Sequence, residues 1–568
     1  MEHISDLLWT GPWWKNKGLN PPAKRLYCPA LDDQAPSALN GYDGSVLNGI
    51  QIMPEWDKYF GDPSDKTRGL MVAAQTFGSF IMLPFAPLLS DGIGRRKTLS
   101  LGSTIIGGGV LLQAMATTVA HFVASRVLIG LGLCIATNAA PLLITELSYP
   151  TQRAPITAMY NGSWYIGSIL SAWITYATIR TLSGSVWAWR IPSMLQAVPS
   201  LFQAVFVWFC PESPRWLVAN GHDLEAVKVL TKYHANGRER DPLVYFTYGQ
   251  IREALSMERE ISAMTSYATL FKTPGNRRRM RIVLAIGFFS QWAGNGLVSY
   301  YIGDVFKGVG VTDPPTVGLI NGSLQIWNCA VAITAAMLVD RLGRRLLFLS
   351  SNTGMLITFI GWTLATAFFS TRGDKSAAHA VLGIIPLFYF AYNIAYSPML
   401  VAYALEVLPY RIRARGFTMM NATICIGITT NQFVNPIAIG KLGWKLYIVY
   451  CCFLLFQLGY IYLFLVETKG KTLEETAAIF DGQKEVEQVA NVGYQAVTES
   501  RIRSFKADDV GDVEGGGIPG EDIQLTLSRH NSMAPTIASE RSVKTSADTN
   551  FYQDATASTN SKAFGRYR

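Results

Sequence analysis

The chain has 568 residues, of which 16% are charged and 49% are hydrophobic, and its mean hydropathy is +0.20. A soluble chain of this length would form about three or four domains, but so low a charged fraction with so many apolar residues is not typical of soluble proteins. The net charge of +9 comes from basic residues that cluster in loops between apolar runs, which argues against a nucleic-acid partner. The composition therefore predicts an integral membrane protein.

Apolar runs of about 20 residues, long enough to cross roughly 30 Å of hydrocarbon as a helix, recur twelve times along the chain. They are residues 35–53, 69–89, 98–118, 121–142, 157–178, 191–210, 280–303, 316–339, 346–369, 379–403, 415–437 and 444–466. We therefore predict an all-α protein with twelve transmembrane helices.

The spacing of these spans predicts two six-helix halves, residues 35–210 and 280–467. Residues 1–34 form a polar N-terminal segment, and residues 211–279 read as short amphipathic helices that link the halves. Residues 468–568 form a polar tail that is predicted to be largely disordered.

Basic residues fall in every second loop and indicate the orientation. They are Arg95, Arg96, Lys97, Arg153, the run from Arg277 to Arg281, Arg341, Arg344, Arg345, Arg411, Arg413 and Arg415. By the positive-inside rule these loops and both termini are cytoplasmic. We expect the protein to lie in the plasma membrane.

Two sequence patterns recur six spans apart. "DGIGRRK" at Asp91–Lys97 follows span 2, and "DRLGRRL" at Asp340–Leu346 follows span 8. "ELSYPTQR" at Glu146–Arg153 follows span 4, and "EVLPYRIR" at Glu406–Arg413 follows span 10. These matched pairs indicate a duplicated six-span unit, which is how many secondary transporters are built.

Several motifs resemble the sugar porters of the major facilitator superfamily. They are "GYDGSVLNG", the two "GRR" turns, "SRVLIGLGLC", "PESPRWL", "SQWAGNGLVSYY" and "VETKGKTLEE". The stretches "NGYDGSVLNG" and "SQWAGNGLVSYY" are most similar to the fungal lactose-permease-like branch, which also includes disaccharide and hexose carriers. The resemblance implies the major facilitator fold and import of a sugar, with a disaccharide such as lactose or cellobiose, or a hexose, as the substrate.

Charged residues at the ends of the spans have two interpretations. The basic ones could simply anchor helices at the membrane interface, but this does not explain the acids beside them. Interleaved acids and arginines at helix ends can pair across the interface between the halves, and by resemblance these residues form a salt-bridge network that closes the cytoplasmic side. Its members are Asp91, Arg95, Glu146, Arg153, Glu212, Arg215, Asp340, Arg344, Glu406 and Arg413.

Asp43 in span 1 and Arg126 in span 4 are ionisable residues within apolar runs. Such residues are costly in a bilayer and usually face a cavity or a partner. One interpretation is a static buried ion pair. The other is proton coupling, because the matching Asp and Arg have that role in proton-coupled members of the family.

Sugar recognition requires amides that bond neighbouring hydroxyls and aromatic faces that cover the ring. The candidates are Asn161, Trp164, Gln291, Trp292, Asn295, Tyr300, Tyr301 and Asn328. Taken singly, an amide in a span is as often a contact between helices as a ligand. The group in span 7 is more informative because Gly294 and Gly296 weaken the helix beside the amides.

Span 7 and span 10 depart from the family pattern. The usual paired glutamines are Ser290 and Gln291, the next amide is displaced to Asn295, and Val401 stands where glucose carriers have a Trp. These changes favour a reshaped pocket and a disaccharide. A further departure is the polar stretch 24–40, so either span 1 begins near Ala35 or the stretch reflects an altered exon boundary.

The remaining signals predict neither an enzyme, a cofactor nor a metal site, because no histidine has a ligand partner at suitable spacing. The expected partners are a sugar, protons and the lipid bilayer, and the serines and lysines of the tail suit ubiquitin and endocytic recognition. Two alternatives stay open: a sugar sensor that signals through the tail, and a carrier of another solute such as a quinate-like acid.

Overall fold

The computed structural model describes residues 37–149, 153–235, 237–238, 241–264, 267–373, 375–469 and 479–480. Within these ranges the side chains of residues 153–162, 257–264, 336–342, 375, 410, 411 and 414 are not described. The predicted segment 1–34 and the tail beyond Phe480 lie outside the described residues. The regular elements within the described ranges are all helical, which confirms the predicted all-α class.

The first half contains nine helices that the structure describes. They are α1 (residues 37–50), α2 (Pro54–Tyr59), α3 (Asp65–Met82), α4 (Ala86–Ile93), α5 (Arg95–Ala114), α6 (Val119–Leu147), α7 (Arg153–Thr181), α8 (Trp187–Leu195) and α9 (Ala197–Phe206), which continues as a 3₁₀ turn at Val207–Phe209.

Four short or amphipathic helices follow, and the second half completes the chain. The linker helices are α10 (Pro214–Ala219), α11 (Asp223–His234), α12 (Pro242–Met264) and α13 (Thr269–Lys272). The second half comprises α14 (Pro274–Trp292), α15 (Asn295–Lys307), α16 (Pro314–Leu342), α17 (Arg344–Arg372), α18 (Lys375–Val407), α19 (Tyr410–Leu442) and α20 (Lys445–Phe464).

Each of the twelve predicted spans coincides with one of these helices or with two consecutive ones. Among the described residues, seven helices are long and apolar enough to cross a membrane, or eight if the bent pair α3 and α4 forms one span. Large apolar side chains such as Leu88, Phe209 and Leu463 are 68–76% exposed, as expected for surfaces that contact lipid.

The two halves meet along two pairs of long helices. Helix α3 packs against α19, and α7 packs against α16. The largest hydrophobic cluster runs through both halves, from Trp56 and Trp189 in the first to Phe359 and Trp362 in the second. This arrangement places the beginning of α3 beside the end of α19 and leaves the polar middle of the bundle between the halves.

Both predicted "GRR" turns form sharp corners between consecutive helices. Gly94 joins α4 to α5 with φ +100° and ψ 155°, and Gly343 joins α16 to α17 with φ +92° and ψ 154°. These angles are almost exclusive to glycine. We call the side of the bundle that carries these turns the GRR end, and the opposite side, where α3 begins and α15 finishes, the Arg68 end.

Candidate transport site

The predicted pair Asp43 and Arg126 forms an ion pair in the middle of the first half. Arg126 Nη1 lies 2.7 Å from Asp43 Oδ1, and the two residues are 2% and 0% exposed. Gln196 on α8–α9 donates to the same oxygen from its Nε2 at 2.5 Å. Asp43 Oδ2 is buried and has no hydrogen-bond partner among the described residues. One carboxylate oxygen is therefore fully engaged and the other is available.

A small polar cavity of about 80 Å³ lies against this pair. Its lining comprises Asn40, Asp43, Gly44, Leu47, Asn48, Gln51, Val72, Gln75 and Arg126 from the first half and Tyr300 and Gln432 from the second. A water molecule occupies roughly 30 Å³ in the liquid, so the cavity has room for two or three waters. Because both halves line it, a change in their relative position changes access to Asp43.

A second polar group joins α7 of the first half to α16 and α18 of the second. The Tyr165 hydroxyl lies 2.9 Å from Ser397 Oγ and 3.4 Å from Asn393 Oδ1. Asn393 Nδ2 donates to Asn328 Oδ1 at 3.2 Å, and Ser397 Oγ donates to Asn393 Oδ1 at 2.6 Å. We call Tyr165, Asn328, Asn393 and Ser397 the Asn393 cluster. It presents amides and hydroxyls of the kind that bind sugar hydroxyls.

Span 7 is broken where the glycines predicted a weakness. Gly294, between α14 and α15, has φ +97°, and a Cβ there would lie 2.4 Å from the ring of Phe359. Two tyrosines of α18 bond the backbone on either side: the Tyr392 hydroxyl donates to the Ser290 carbonyl at 2.9 Å, and the Tyr389 hydroxyl donates to that of Asn295 at 3.0 Å. The break is therefore held by α18.

The other predicted sugar ligands occupy different surroundings. Gln291 is half-buried, and its carbonyl accepts from Asn431 Nδ2 at 2.6 Å. Trp292 stacks on Phe288 at 5.3 Å and contacts Phe453 of α20, so its packing is explained without a sugar. Tyr301 is buried and donates its hydroxyl to the Gln432 carbonyl.

The remaining ligand candidates are placed as follows. Tyr300 lines the cavity beside Asp43, whereas Asn328 belongs to the Asn393 cluster. Trp164 is half-buried with its ring against Tyr165 at 5.1 Å. The Asn161 side chain lies outside the described residues. The candidates therefore divide between the cavity, the Asn393 cluster and the packing around the span-7 break.

At the GRR end, each turn binds a glutamate from the segment that follows the last span of its own half. Glu212 Oε1 accepts the backbone N–H groups of Arg95 and Arg96 at 3.0 and 3.2 Å. Glu467 accepts those of Arg344 and Arg345, each at 2.9 Å. A carboxylate at the N-terminus of a long helix is stabilised by the unpaired N–H groups and the helix dipole.

Partial burial raises the pKa of Glu467, but the backbone N–H groups of Lys469, Arg344, Arg345 and Thr468 lower it by more, so its pKa lies below the ordinary value for a glutamate. The carboxylate form is therefore the one that binds the turn.

The charged residues at the GRR end also form ion pairs. Arg95 Nε lies 3.3 Å from Glu146 Oε2, and Arg344 Nη2 lies 3.0 Å from Glu406 Oε1. The first pair lies within the first half and the second pair within the second half, whereas the network was expected to join the halves. Asp91, 71% exposed, pairs with Arg95 at 3.2 Å.

Four other members of the predicted network have different environments. Arg215 lies close enough to Glu146 to interact electrostatically. Arg413 donates from Nε to the Leu408 carbonyl at 3.2 Å. The side chains of Arg153 and Asp340 lie outside the described residues.

The Arg68 end carries an ion-pair cluster that the sequence reading did not identify. Arg68 on α3 pairs with Asp57 on α2 at 2.6 Å and with Asp304 on α15 at 3.2 Å. Their side chains are 13%, 18% and 21% exposed. Since α15 belongs to the second half, this cluster joins the halves.

Three other functional candidates were missed. Gln196, Asn393 and Glu467 did not stand out because single amides in spans and acids after spans are common. The available signal was for Glu467: "VETKG" follows span 12 as "PESPRW" follows span 6. No group of three or more His, Cys, Asp or Glu that could bind a metal occurs within the described ranges.

The fold has two halves of six spans each, paired corner turns and a polar interior between the halves. These features define a multi-pass membrane transporter of the major facilitator type. The family described as "Sugar (and other) transporter" matches residues 35–480. The chain belongs to this family, whose members found by similarity are transporters and not enzymes.

Two curated relatives and one solved structure illustrate the similarity. The chain is 27% identical to the high-affinity glucose transporter of Kluyveromyces lactis, over 77% of this chain and 81% of the relative. It is 28% identical to the quinate permease of Neurospora africana, over 80% and 89%. The inward-open xylose transporter XylE of E. coli has a TM-score of 0.66 at 22% identity, over 80% of this chain and 100% of XylE. At that identity, the structural match concerns the fold alone.

Proposed function

We propose that the protein imports a sugar across the plasma membrane together with protons, through halves that open alternately to the two sides, with the GRR end in the cytoplasm. The favoured substrate is a disaccharide. The observation that carries the proposal is the buried ion pair of Asp43 and Arg126 beside a polar cavity that both halves line.

The geometry of Asp43 supports the proton step. Its Oδ1 is bonded by Arg126 and Gln196, whereas Oδ2 is free to take a proton that reaches it through waters in the cavity. Protonation removes the negative charge that binds Arg126, so the contact between α1 and α6 weakens. Movement of Tyr300 or Gln432 with the second half would open or close the cavity and so connect protonation to alternating access.

The Asn393 cluster supports sugar binding between the halves. It contributes one hydroxyl from α7, one amide from α16, and an amide and a hydroxyl from α18. A sugar that replaces the contacts of Tyr165 with Asn393 and Ser397 would therefore bind both halves at once. Val401, where glucose carriers have a Trp, is 43% exposed. A smaller side chain at this position supports a substrate larger than a hexose.

The test is uptake of labelled lactose, cellobiose and glucose by transporter-deficient cells that express the chain, with and without a protonophore. Moving one charge through 100 mV provides about 2.3 kcal/mol, enough for roughly fifty-fold accumulation of a neutral solute. We expect one disaccharide to accumulate and the protonophore to abolish the accumulation. Unlabelled quinate, added as a competitor, should not reduce uptake.

Asp43→Asn is expected to abolish accumulation and to retain exchange of sugar across the membrane. Asp313→Asn is the matched control, because Asp313 caps α16 in an exposed position away from the cavity, and its variant should accumulate sugar normally. Uphill uptake by Asp43→Asn at the wild-type level would refute the proton assignment. Uptake that is inhibited by unlabelled quinate but not by unlabelled sugars would refute the proposal that the substrate is a sugar.

A further inference from the structure

We propose that the Asn48 side chain replaces a helical hydrogen bond in α15 and thereby holds the Arg68 end closed. Asn48 lies on α1 of the first half and is 3% exposed. Its Nδ2 donates to the Val298 carbonyl at 3.2 Å, and its Oδ1 accepts the Ile302 N–H at 3.2 Å. Both partners belong to α15 of the second half.

Val298 and Ile302 are four residues apart, so they are the carbonyl and the N–H that an undistorted α-helix pairs with each other. The backbone between them is not helical, because Tyr301 has φ −139° and ψ 40°. A side chain inserted into the ladder of backbone hydrogen bonds is a recognised cause of a sharp kink. The amide of Asn48 supplies one donor and one acceptor, which are the two groups that the interrupted bond requires.

Three further contacts fix the same part of α15. Gln51 Nε2 donates to the Tyr300 carbonyl at 3.0 Å, and the Tyr301 hydroxyl donates to the Gln432 carbonyl. Asp304, one turn further on, pairs with Arg68. The kink therefore lies where α1, α3 and α19 all contact α15, and it directs the last turns of α15 onto the first half.

The proposed exchange keeps the buried backbone groups paired in both states. In the closed state, the Val298 carbonyl and the Ile302 N–H bond Asn48; when the halves separate, the two groups can bond each other as α15 straightens. A buried backbone group without a partner would be costly, so this exchange avoids a penalty that would otherwise oppose opening. Asn48 is thus a positioning residue that sets the balance between closed and open forms.

This inference rests on the proposed alternating access, but it can be tested without knowing the solute. Nitroxide labels are attached through genetically encoded reactive residues at Lys58 and Thr312, which are exposed and belong to opposite halves at the Arg68 end. Pulsed electron resonance on the full chain in lipid nanodiscs, without added sugar, measures the distance between the labels. We expect the wild type to populate mainly a short distance.

Asn48→Leu should raise the ratio of long-distance to short-distance molecules roughly tenfold, because the closed state loses both amide bonds while the straightened helix keeps its own. Asn48→Thr serves if the leucine variant does not fold, since a threonine hydroxyl bonds its own helix, as Thr175 bonds the Ser171 carbonyl at 2.7 Å. The same direction of change is expected for both variants.

Gln51→Leu is the matched control, because Gln51 makes a single bond to α15, to the Tyr300 carbonyl, and does not bond both partners of one helical hydrogen bond. It should raise the ratio only about twofold to threefold. Equal shifts for the Asn48 and Gln51 variants would overturn the exchange, as would an unchanged distance distribution in both Asn48 variants. Absence of proton-driven uptake by the wild type would instead count against the proposed function and leave the distance result intact.

Discussion

At the GRR end, Gly94 and Gly343 have nearly the same backbone angles, and each turn binds a glutamate from its own half, Glu212 or Glu467. An ion pair accompanies each turn. The two halves are therefore close copies where their long helices turn at this end. A duplicated unit keeps these corners because both halves need the same rigid connection between consecutive spans.

The middles of the two halves are unlike each other. The first half has the charged group of Asp43, Arg126 and Gln196. The second has a neutral group on α19 and α20, in which the Tyr450 hydroxyl lies 2.9 Å from Asn431 Oδ1 and 2.7 Å from Asn435 Oδ1. The polar group in the middle of the first half is therefore charged, whereas that of the second half is neutral and contacts span 7 beside its break, through the bond from Asn431 to the Gln291 carbonyl.

The largest expected effect comes from removing one charge in the first half. Arg126→Gln leaves the Asp43 carboxylate buried with only Gln196, and an uncompensated buried charge costs about 3–5 kcal/mol. We expect a marked fall in the thermal midpoint of the purified protein, measured by size-exclusion of heated samples. Asp43→Asn combined with Arg126→Gln makes the middle neutral, like the second half, and should recover most of the loss. A double variant no more stable than Arg126→Gln would contradict this account.

The corner turns allow the likeness of the two halves to be tested directly. Alanine at either glycine pays the backbone strain of about 1–3 kcal/mol. At Gly94 the new Cβ would lie 2.5 Å from Glu212 Oε2, whereas at Gly343 it would lie 3.1 Å from Glu467 Oε2. Gly94→Ala should therefore lower the thermal midpoint more than Gly343→Ala does. Gly92→Ala, in open space on α4, should leave the midpoint unchanged or slightly raise it.

Equal losses for the Gly94 and Gly343 variants would mean that backbone strain alone determines the cost.

The corner turns also show how much of the structure can be predicted from the sequence. Repeated "GRR" patterns and apolar runs predicted the duplication, the spans and the buried pair of Asp43 and Arg126, because length, charge and glycine requirements are local properties. Asn48 bonds Val298, Asn393 bonds Asn328 and Arg68 pairs with Asp304, and in each case the two residues are more than 60 positions apart. Nothing in the local sequence distinguishes such amides and charges from those that merely hold helices together, so the polar cavity and the ion pairs of the Arg68 end could be found only in the structure.

The neutral group of the second half should make a smaller but measurable contribution to the stability of the protein. Tyr450→Phe removes the hydroxyl that bonds Asn431 and Asn435, at an expected cost of about 1–2 kcal/mol. The fall in thermal midpoint should be smaller than that of Arg126→Gln. Tyr462→Phe is the control on the same helix, because Tyr462 is 62% exposed. If both tyrosine variants had the same thermal midpoint, the buried hydroxyl would contribute nothing to stability. The neutral group of the second half would then not be a stabilising counterpart of the charged group in the first half.

The smallest effect concerns the glutamate caps and depends on pH. Partial burial raises the pKa of Glu467, but hydrogen bonds from four backbone N–H groups together outweigh it, so the folded-state pKa is lowered; the groups belong to Lys469, Arg344, Arg345 and Thr468. The carboxylate therefore stabilises the fold at pH values above its unfolded pKa of about 4.3, and this contribution is lost as the pH falls through the folded value. For a half-buried group the contribution is about 0.3–1 kcal/mol.

Glu467→Gln should therefore lower the thermal midpoint at pH 7, and its difference from the wild type should shrink as the pH is taken below about 4. Glu253→Gln, at an exposed position on α12, should match the wild type throughout the range. A difference that stays constant from neutral to acidic pH would show that Glu467 acts through its shape and packing. The cap would then be a property of the corner itself, and the charge of the glutamate would not be what makes the two halves alike.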